Sequence, residues 1–212
     1  MKKQTRSFYL ALLLLAAFLL WTAAVRWVDV QAIGPHGSAV GFATLNRFIH
    51  TLTGVHMTLY VITDWLGLIP FGFVVGFGIL GLIQWIRRKS LLRVDRSILA
   101  LGGFYVVVLA AYLFFEVLVI NYRPVLINGC LEASYPSSTT TLALCVMSTA
   151  MLQLKARIEN RVLRRWLLLV FSAFTVFLVV GRLLCGVHWF TDIMGGTLLS
   201  GGLVLLYAAF TR

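Results

Sequence analysis

Three polar residues near the C-terminal end of the chain have the types and spacing of a phosphate site. Arg182, His188 and Asp192 follow one another at intervals of six and four residues in an otherwise apolar region. If a helix begins near His188, the i, i+4 spacing places His188 and Asp192 on one face, where a carboxylate can orient an imidazole. Arg182 could supply a forked cation for phosphate oxygens. A headgroup-anchoring arginine and a helix-capping histidine are the alternative interpretation.

The composition decides the class of protein that must position these residues. Of the 212 residues, 60% are hydrophobic and only 12% are charged, whereas a soluble domain is about half apolar and about a quarter charged. The chain is therefore predicted to be an integral membrane protein. Its formal net charge of +11 is concentrated between the apolar segments, which indicates membrane topology rather than binding to nucleic acid.

Six apolar segments are interpreted as membrane spans. They predict an all-α, six-helix membrane bundle that forms a single domain over residues 1–212. The first segment is interpreted as an uncleaved helix, because it is long for a signal peptide and further spans follow. Pro70 predicts a kink in the second span. The predicted spans are about residues 8–25, 59–86, 98–120, 137–154, 166–180 and 189–210.

A mixed segment separates the first two spans. Between Val40 and Leu52 the apolar residues approximate one helical stripe, and Asn46, Arg47 and His50 lie off it. This pattern predicts a helix at the membrane interface, which could act as a lid over a lipid site. A simple connecting helix is the other interpretation.

The positive charges predict which ends of the spans face the cytoplasm. Lysine and arginine are concentrated at the N-terminus and in the loops after spans two and four. By the positive-inside rule, these ends and both termini are cytoplasmic. Arg123, Ser137, Arg182 and His188 then all fall on the outer face of a multi-pass protein of the cell membrane.

The polar residues of the last four spans fall into three short motifs. These motifs are Glu116-x6-Arg123-Pro124, Pro136-Ser137-Ser138-Thr139 and Gly181-Arg182-x5-His188-x3-Asp192. In order, spacing and predicted sidedness they resemble the motifs of the type-2 phosphatidic acid phosphatase family, which are Lys-x6-Arg-Pro, Pro-Ser-Gly-His and Ser-Arg-x5-His-x3-Asp. The resemblance covers the back half of the chain by motif and the whole chain by number of spans.

The resemblance implies a membrane lipid phosphatase and a role for each matching residue. His188 would be the nucleophile that takes the phosphoryl group, and Asp192 would orient and stabilise it. The remaining matches would bind the phosphate and the charge that grows on it. They are Arg123, Ser137, Ser138 and Arg182. No cofactor is implied, and no metal site is expected, because His36, His50 and His56 lack ligand spacing.

Four positions depart from the family pattern. Glu116 replaces the lysine, Ser138 the glycine, Thr139 the histidine and Gly181 the serine. The missing histidine is the family's general acid, and general acid catalysis is typically worth about a hundred- to ten-thousand-fold. Threonine cannot supply it at neutral pH. Glutamate in place of lysine also puts a negative charge where the family has a positive one.

Three explanations of these departures remain open. The substrate could be a polyprenyl diphosphate, of the undecaprenyl diphosphate kind, which expels a phosphate monoester without needing an acid. Another residue could be the acid, either Glu116 or Glu132, although Glu116 would also suit a structural ion pair with Arg123 on the same helix face. The third explanation is a weak or inactive protein that binds or transports a lipid phosphate on the same scaffold.

Two further patterns concern packing near the site. Cys130 and Cys185 fall in outward segments, so a disulfide is chemically allowed, but two separate apolar residues are the preferred interpretation. The glycines of the last span predict close helix packing. They are Gly195, Gly196, Gly201 and Gly202.

Overall fold

The structure is a computed structural model and describes residues 2–211. Within that range the chain forms eight α-helices joined by loops and two short 3-10 turns. The helices are α1 (Lys2–Trp27), α2 (Ala43–Thr53), α3 (Met57–Leu66), α4 (Ile69–Arg88), α5 (Arg96–Val117), α6 (Ser138–Arg157), α7 (Arg161–Leu184) and α8 (Phe190–Thr211).

Five segments of the described chain are long and apolar enough to cross a membrane. They are Gln4–Trp27, Met57–Arg88, Arg96–Val117, Arg161–Leu184 and Phe190–Thr211. The predicted fourth span corresponds to α6, which has 20 residues but is less apolar. It buries polar side chains such as Thr141, Thr149 and Gln153, because it packs between α7 and α8. The all-α membrane fold is confirmed, whereas the count of six spans stays a prediction.

The last helix, α8, lies at the centre of the bundle and packs against α1 and α6. Its glycines allow this close approach. A Cβ on Gly195 would lie 2.6 Å from the ring of Tyr135, and one on Gly202 would lie 2.7 Å from the side chain of Leu15 on α1. The packing role predicted for these glycines is confirmed. It fixes the N-terminal turn of α8, which contains Asp192.

The predicted second span is broken into α3 and α4. The break occurs at Gly67 and Leu68, and Pro70 occupies the first turn of α4, where its missing N–H is not needed. The kink predicted near Pro70 is therefore confirmed. The break leaves α3 free to pack against α7, where Thr63 faces Gly181 so closely that a Cβ on this glycine would lie 2.7 Å from the threonine methyl group.

The amphipathic segment forms α2, but its orientation is unexpected. Asn46 is fully buried, whereas Phe48 and Leu52 on the apolar stripe are 61% and 70% exposed. Asn46 and His50 thus face the bundle, where both have hydrogen-bond partners, whereas Arg47 is exposed. The apolar side faces outward. The position of α2 at a membrane interface stays a prediction.

The two basic loops lie together at one end of the bundle. Asp95, which precedes α5, forms ion pairs with Arg88 at 2.9 Å and with Arg157 at 3.2 Å. From this end α7 runs for 24 residues, or about 36 Å at the usual helical rise, and it ends at Arg182 and Leu184 among the site residues. The basic loops and the candidate site therefore lie at opposite ends.

Candidate active site

The three sequence motifs meet at the end of the bundle opposite the basic loops. Arg123 lies in the loop between α5 and α6, and its Nη1 is 3.3 Å from Nε2 of His188 in the loop between α7 and α8. The backbone N–H of Ser137, at the start of α6, donates to the carbonyl oxygen of Asp192 at 3.1 Å. Residues far apart in the chain thus form one buried cluster, since Arg123, Ser137, His188 and Asp192 are all buried.

His188 and Asp192 are neighbours, although they do not share a helix face. The helix α8 begins at Phe190, two residues after His188, so the imidazole lies just before the helix that contains Asp192. Nδ1 of His188 is 3.7 Å from Oδ2 of Asp192, and the same oxygen accepts 2.9 Å from the backbone N–H of Trp189. The first backbone N–H groups at a helix start have no partner inside the helix. The carboxylate of Asp192 supplies an acceptor for the N–H of Trp189, as a capping side chain does.

His188 is neutral at physiological pH. Burial lowers its pKa to about 4; Asp192 opposes this shift and the positive charge of Arg123 adds to it. We assign the ring proton to Nδ1, on the side of Asp192, because Nε2 faces the Arg123 donor. Nε2 then carries the free lone pair, on the side of Arg123, as a nucleophile requires.

Arg182 is 1% exposed and held by side chains from two other helices. Its Nη2 donates to Oγ1 of Thr139 at 2.8 Å and to Oδ1 of Asp64 at 3.2 Å. Its Nη1 is 3.4 Å from Oγ1 of Thr63, and its guanidinium lies 4.9 Å from the ring centroid of Tyr60. Thr139, at the position of the missing family histidine, therefore positions Arg182.

Arg123 is accompanied by Glu132 rather than by Glu116. Nε of Arg123 is 3.0 Å from Oε2 of Glu132, and the backbone of the two residues is joined by a hydrogen bond of 3.0 Å. Glu116 is exposed on the last turn of α5, which ends at Val117. The prediction that Glu116 shares a helix face with Arg123 is wrong, because the chain between them is not helical.

The two serines begin α6. Ser137 is the N-cap residue, and its hydroxyl oxygen accepts from the backbone N–H of Thr140 at 3.5 Å. Ser138 is the first helical residue and is partly exposed. Backbone N–H groups without helical partners gather at such an end and favour an anion. The helix end is therefore suited to the phosphate that both serines were predicted to bind.

Two buried asparagines also hold the site. Nδ2 of Asn121 is 3.3 Å from Oδ1 of Asp192, and Oδ1 of Asn46 accepts from the backbone N–H of Thr191 at 3.2 Å. The sequence motifs did not include them. The signal was available, because Asn121 is two residues before Arg123 and Asn46 is a polar residue of the amphipathic segment. Asp64 was equally visible as a charge within a predicted span.

The cysteines near the site are free thiols. Cys130 is exposed, whereas Cys185 is buried against Ile127 and Val187. Burial raises the pKa of the Cys185 thiol, so it stays protonated. The interpretation of two unpaired cysteines agrees with this arrangement. The loop after Cys185 is fixed by His50, whose Nε2 is 3.1 Å from the carbonyl oxygen of Gly186.

Comparison with known proteins adds a family and a fold. The family described as the PAP2 superfamily matches residues 97–212, which is more than half of the chain. The solved structure titled as the first transmembrane PAP2 type phosphatidylglycerolphosphate phosphatase from Bacillus subtilis matches with a TM-score of 0.59 and 18% identity over 94% of each chain. None of the curated proteins matches. The structural match shows a shared fold.

Proposed function

Because the chain belongs to the PAP2 superfamily, we propose that it is a membrane lipid phosphatase that works through a phosphohistidine intermediate. The observation that supports this most directly is the surroundings of His188. The ring is buried and neutral, with Asp192 on the side of Nδ1 and Arg123 on the side of Nε2. Such a ring can attack phosphorus through Nε2 while the carboxylate stabilises the positive charge that develops.

The phosphate is held by groups from three elements. Arg123 next to the nucleophile and Arg182 on α7 each offer a guanidinium, and the N-terminus of α6 offers the backbone N–H of Ser138 and the hydroxyl group of Ser137. Phosphoryl transfer depends mainly on such positioning and on neutralising the charge on the equatorial oxygens. Nε2 of His188 and a phosphate oxygen both accept from the guanidinium of Arg123. On this scheme Arg123 therefore moves from Nε2 to the phosphate when the substrate binds.

We propose a polyprenyl diphosphate as the preferred substrate. Thr139 offers no proton at neutral pH, and its hydroxyl oxygen is already an acceptor for Arg182. A diphosphate expels a phosphate monoester, which leaves with less need of protonation than the alkoxide of an alcohol. Loss of the family's histidine therefore costs less with a diphosphate than with a phosphatidate.

The substrate is expected to enter from the outer face of the cell membrane. The ion pairs of Asp95 with Arg88 and Arg157 bring the two basic loops together, and these loops are cytoplasmic by the positive-inside rule. The site lies at the other end of α7. Both termini are then cytoplasmic if α6 also crosses the membrane.

The test is phosphate release by purified protein in detergent, with three substrates. They are a polyprenyl diphosphate, a phosphatidate and phosphatidylglycerol phosphate, the class named for the structural neighbour. We expect release to be fastest with the diphosphate and to vanish with His188→Ala. His56→Ala is the control, since this histidine is exposed and its ring is 2.9 Å from the carbonyl oxygen of Thr53, away from the site residues. Equal rates on all three substrates would contradict the leaving-group argument.

A second outcome would replace the proposal. Thr139 at the position of the family's acid also suits a protein that binds or transports a lipid phosphate without hydrolysing it. Lipid binding that depends on Arg123 and Arg182, together with no release from any of the three substrates, would establish this alternative. Loss of hydrolysis alone would not, because a binding protein has to retain the lipid.

A further inference from the structure

One nitrogen of Arg182 holds both Thr139 and a carboxylate that the motifs did not include. Nη2 donates to Oγ1 of Thr139 at 2.8 Å and to Oδ1 of Asp64 at 3.2 Å. The two oxygens are therefore no farther apart than the sum of these distances. Asp64 belongs to α3, a different helix from Thr139 on α6. The break between α3 and α4 and the close contact of Thr63 with Gly181 bring it there.

The side chain at position 139 is where the resembled family keeps its general acid. Asp64 is hydrogen-bonded to the same guanidinium nitrogen as Thr139. Its carboxyl group is thus close to the position of the family's general acid. Asp64 is not covered by the rest of the protein, because 57% of its side chain is exposed while that of Arg182 is 2% exposed. A group that gives a proton to a bound substrate must be open in this way.

The other carboxylates of the outer end lie elsewhere. Glu132 forms an ion pair with Arg123, the arginine that contacts the nucleophile. Asp64 forms an ion pair with Arg182. In an in-line displacement the leaving oxygen departs on the side of phosphorus away from the attacking atom. Asp64 accompanies the arginine that contacts position 139, where the family has its general acid. Glu116 is exposed on α5, which ends before Arg123.

We propose that Asp64 is the proton donor to the leaving group, in place of the missing histidine. This inference rests on the proposed phosphatase function and adds a catalytic residue to it. A proton donor at Asp64 reduces the advantage that a diphosphate has over a phosphatidate as substrate. In the free protein Asp64 forms an ion pair with Arg182 at 3.2 Å. A bound phosphate competes for the same guanidinium.

The reaction then balances in two steps. In the first, Nε2 of His188 forms a bond to phosphorus, the bond from phosphorus to the leaving oxygen breaks, and Asp64 gives its proton to that oxygen. In the second, Asp64 takes a proton from a water molecule whose oxygen bonds to phosphorus, and the bond to Nε2 breaks. The products are an alcohol or a phosphate monoester, inorganic phosphate and the original histidine.

The test compares two leaving groups in one variant. Phosphatidate expels an alkoxide that needs a proton, whereas p-nitrophenyl phosphate expels a stable phenolate that does not. We expect Asp64→Asn to lower kcat on phosphatidate by about a hundred- to ten-thousand-fold and to leave kcat on p-nitrophenyl phosphate close to that of the wild type. Adding Thr139→His to Asp64→Asn should restore hydrolysis of phosphatidate, because the family's acid returns to its position.

Asp29→Asn is the matched control. Asp29 is an exposed carboxylate that accepts from the backbone N–H of Thr44 at 2.7 Å, and asparagine keeps that role. It should change neither rate. Equal losses on both substrates with Asp64→Asn would indicate a structural role, and unchanged or faster hydrolysis of phosphatidate would indicate that Asp64 only masks Arg182. Either result overturns the proposal.

The failure of this inference is distinguishable from that of the proposed function. A wild-type protein that hydrolyses a diphosphate but neither monoester, and loses this activity with His188→Ala, would leave the phosphatase standing without an acid at Asp64. A protein that hydrolyses none of the substrates would overturn both.

Discussion

Thr139 and Arg182 are joined by a hydrogen bond of 2.8 Å from Nη2 to Oγ1. The threonine that replaces the family's histidine is therefore a structural partner of a phosphate-binding arginine. Its hydroxyl oxygen accepts from the guanidinium of Arg182, which is buried and needs hydrogen-bond acceptors from the protein in place of water. The substitution removes one chemical role from position 139 and supplies another.

Removing this hydroxyl group should weaken phosphate binding. We expect Thr139→Val to raise KM by roughly two- to tenfold, the equivalent of one hydrogen bond, with a smaller effect on kcat. Thr139→Ser keeps the hydroxyl group and should behave as the wild type. The measurement is steady-state phosphate release in detergent. A Thr139→Val protein with unchanged KM would show that Arg182 does not need this partner.

His188 should remain neutral as the pH falls below the ordinary histidine pKa of about 6.5. Burial lowers its pKa to about 4, so the nucleophile is lost only in that more acidic range. Between the two pKa values the histidine of an unfolded chain binds a proton, whereas the folded ring stays neutral. The free energy of unfolding therefore decreases in this range as the pH falls. The measurement is NMR of the imidazole carbons, with His188→Gln to assign the signal. Titration near 6.5 would contradict it.

Labelling of Cys130 should report the sidedness of the protein. Cys130 is exposed, whereas Cys145 and Cys185 are buried, and Cys130 lies in the loop that contains Arg123. We expect a membrane-impermeant maleimide to label Cys130 in intact cells. A cysteine at the exposed Arg93 between α4 and α5, in an Arg93→Cys, Cys130→Ser protein, should be labelled only after the cells are opened. The reverse pattern would invert the proposed topology.

Gly186 should be indispensable to the loop before His188. Its φ is +68°, and a Cβ would lie 1.9 Å from the carbonyl oxygen of Gly54. Gly186→Ala should therefore lower the thermal midpoint in detergent and reduce hydrolysis by moving His188. Gly129→Ala is the control, since Gly129 has φ of +78° with nothing within 4 Å, and only the backbone cost of about 1–2 kcal/mol applies. Equal decreases in the thermal midpoint for the two variants would show that Gly54 moves away from the added Cβ at little cost in stability.

The sequence alone determined the class of the protein and the positions of most of its helices. Long apolar segments are set by bilayer thickness and need no knowledge of their neighbours, and the break near Pro70 follows from local backbone chemistry. The spacing of Arg182, His188 and Asp192 indicated the site for the same reason, because these residues lie close together in the chain. The less apolar α6 could not be distinguished in this way from a helix that does not span.

Only the tertiary structure decided which side chains meet across the site. Asp64, Thr139 and Arg182 come from three helices, and no spacing in the chain relates them. Glu116 was placed beside Arg123 on the assumption that α5 continues, but the helix ends at Val117 and Glu132 takes that position. Contacts of this kind depend on how helices pack, which is set by the fit of buried surfaces rather than by local sequence.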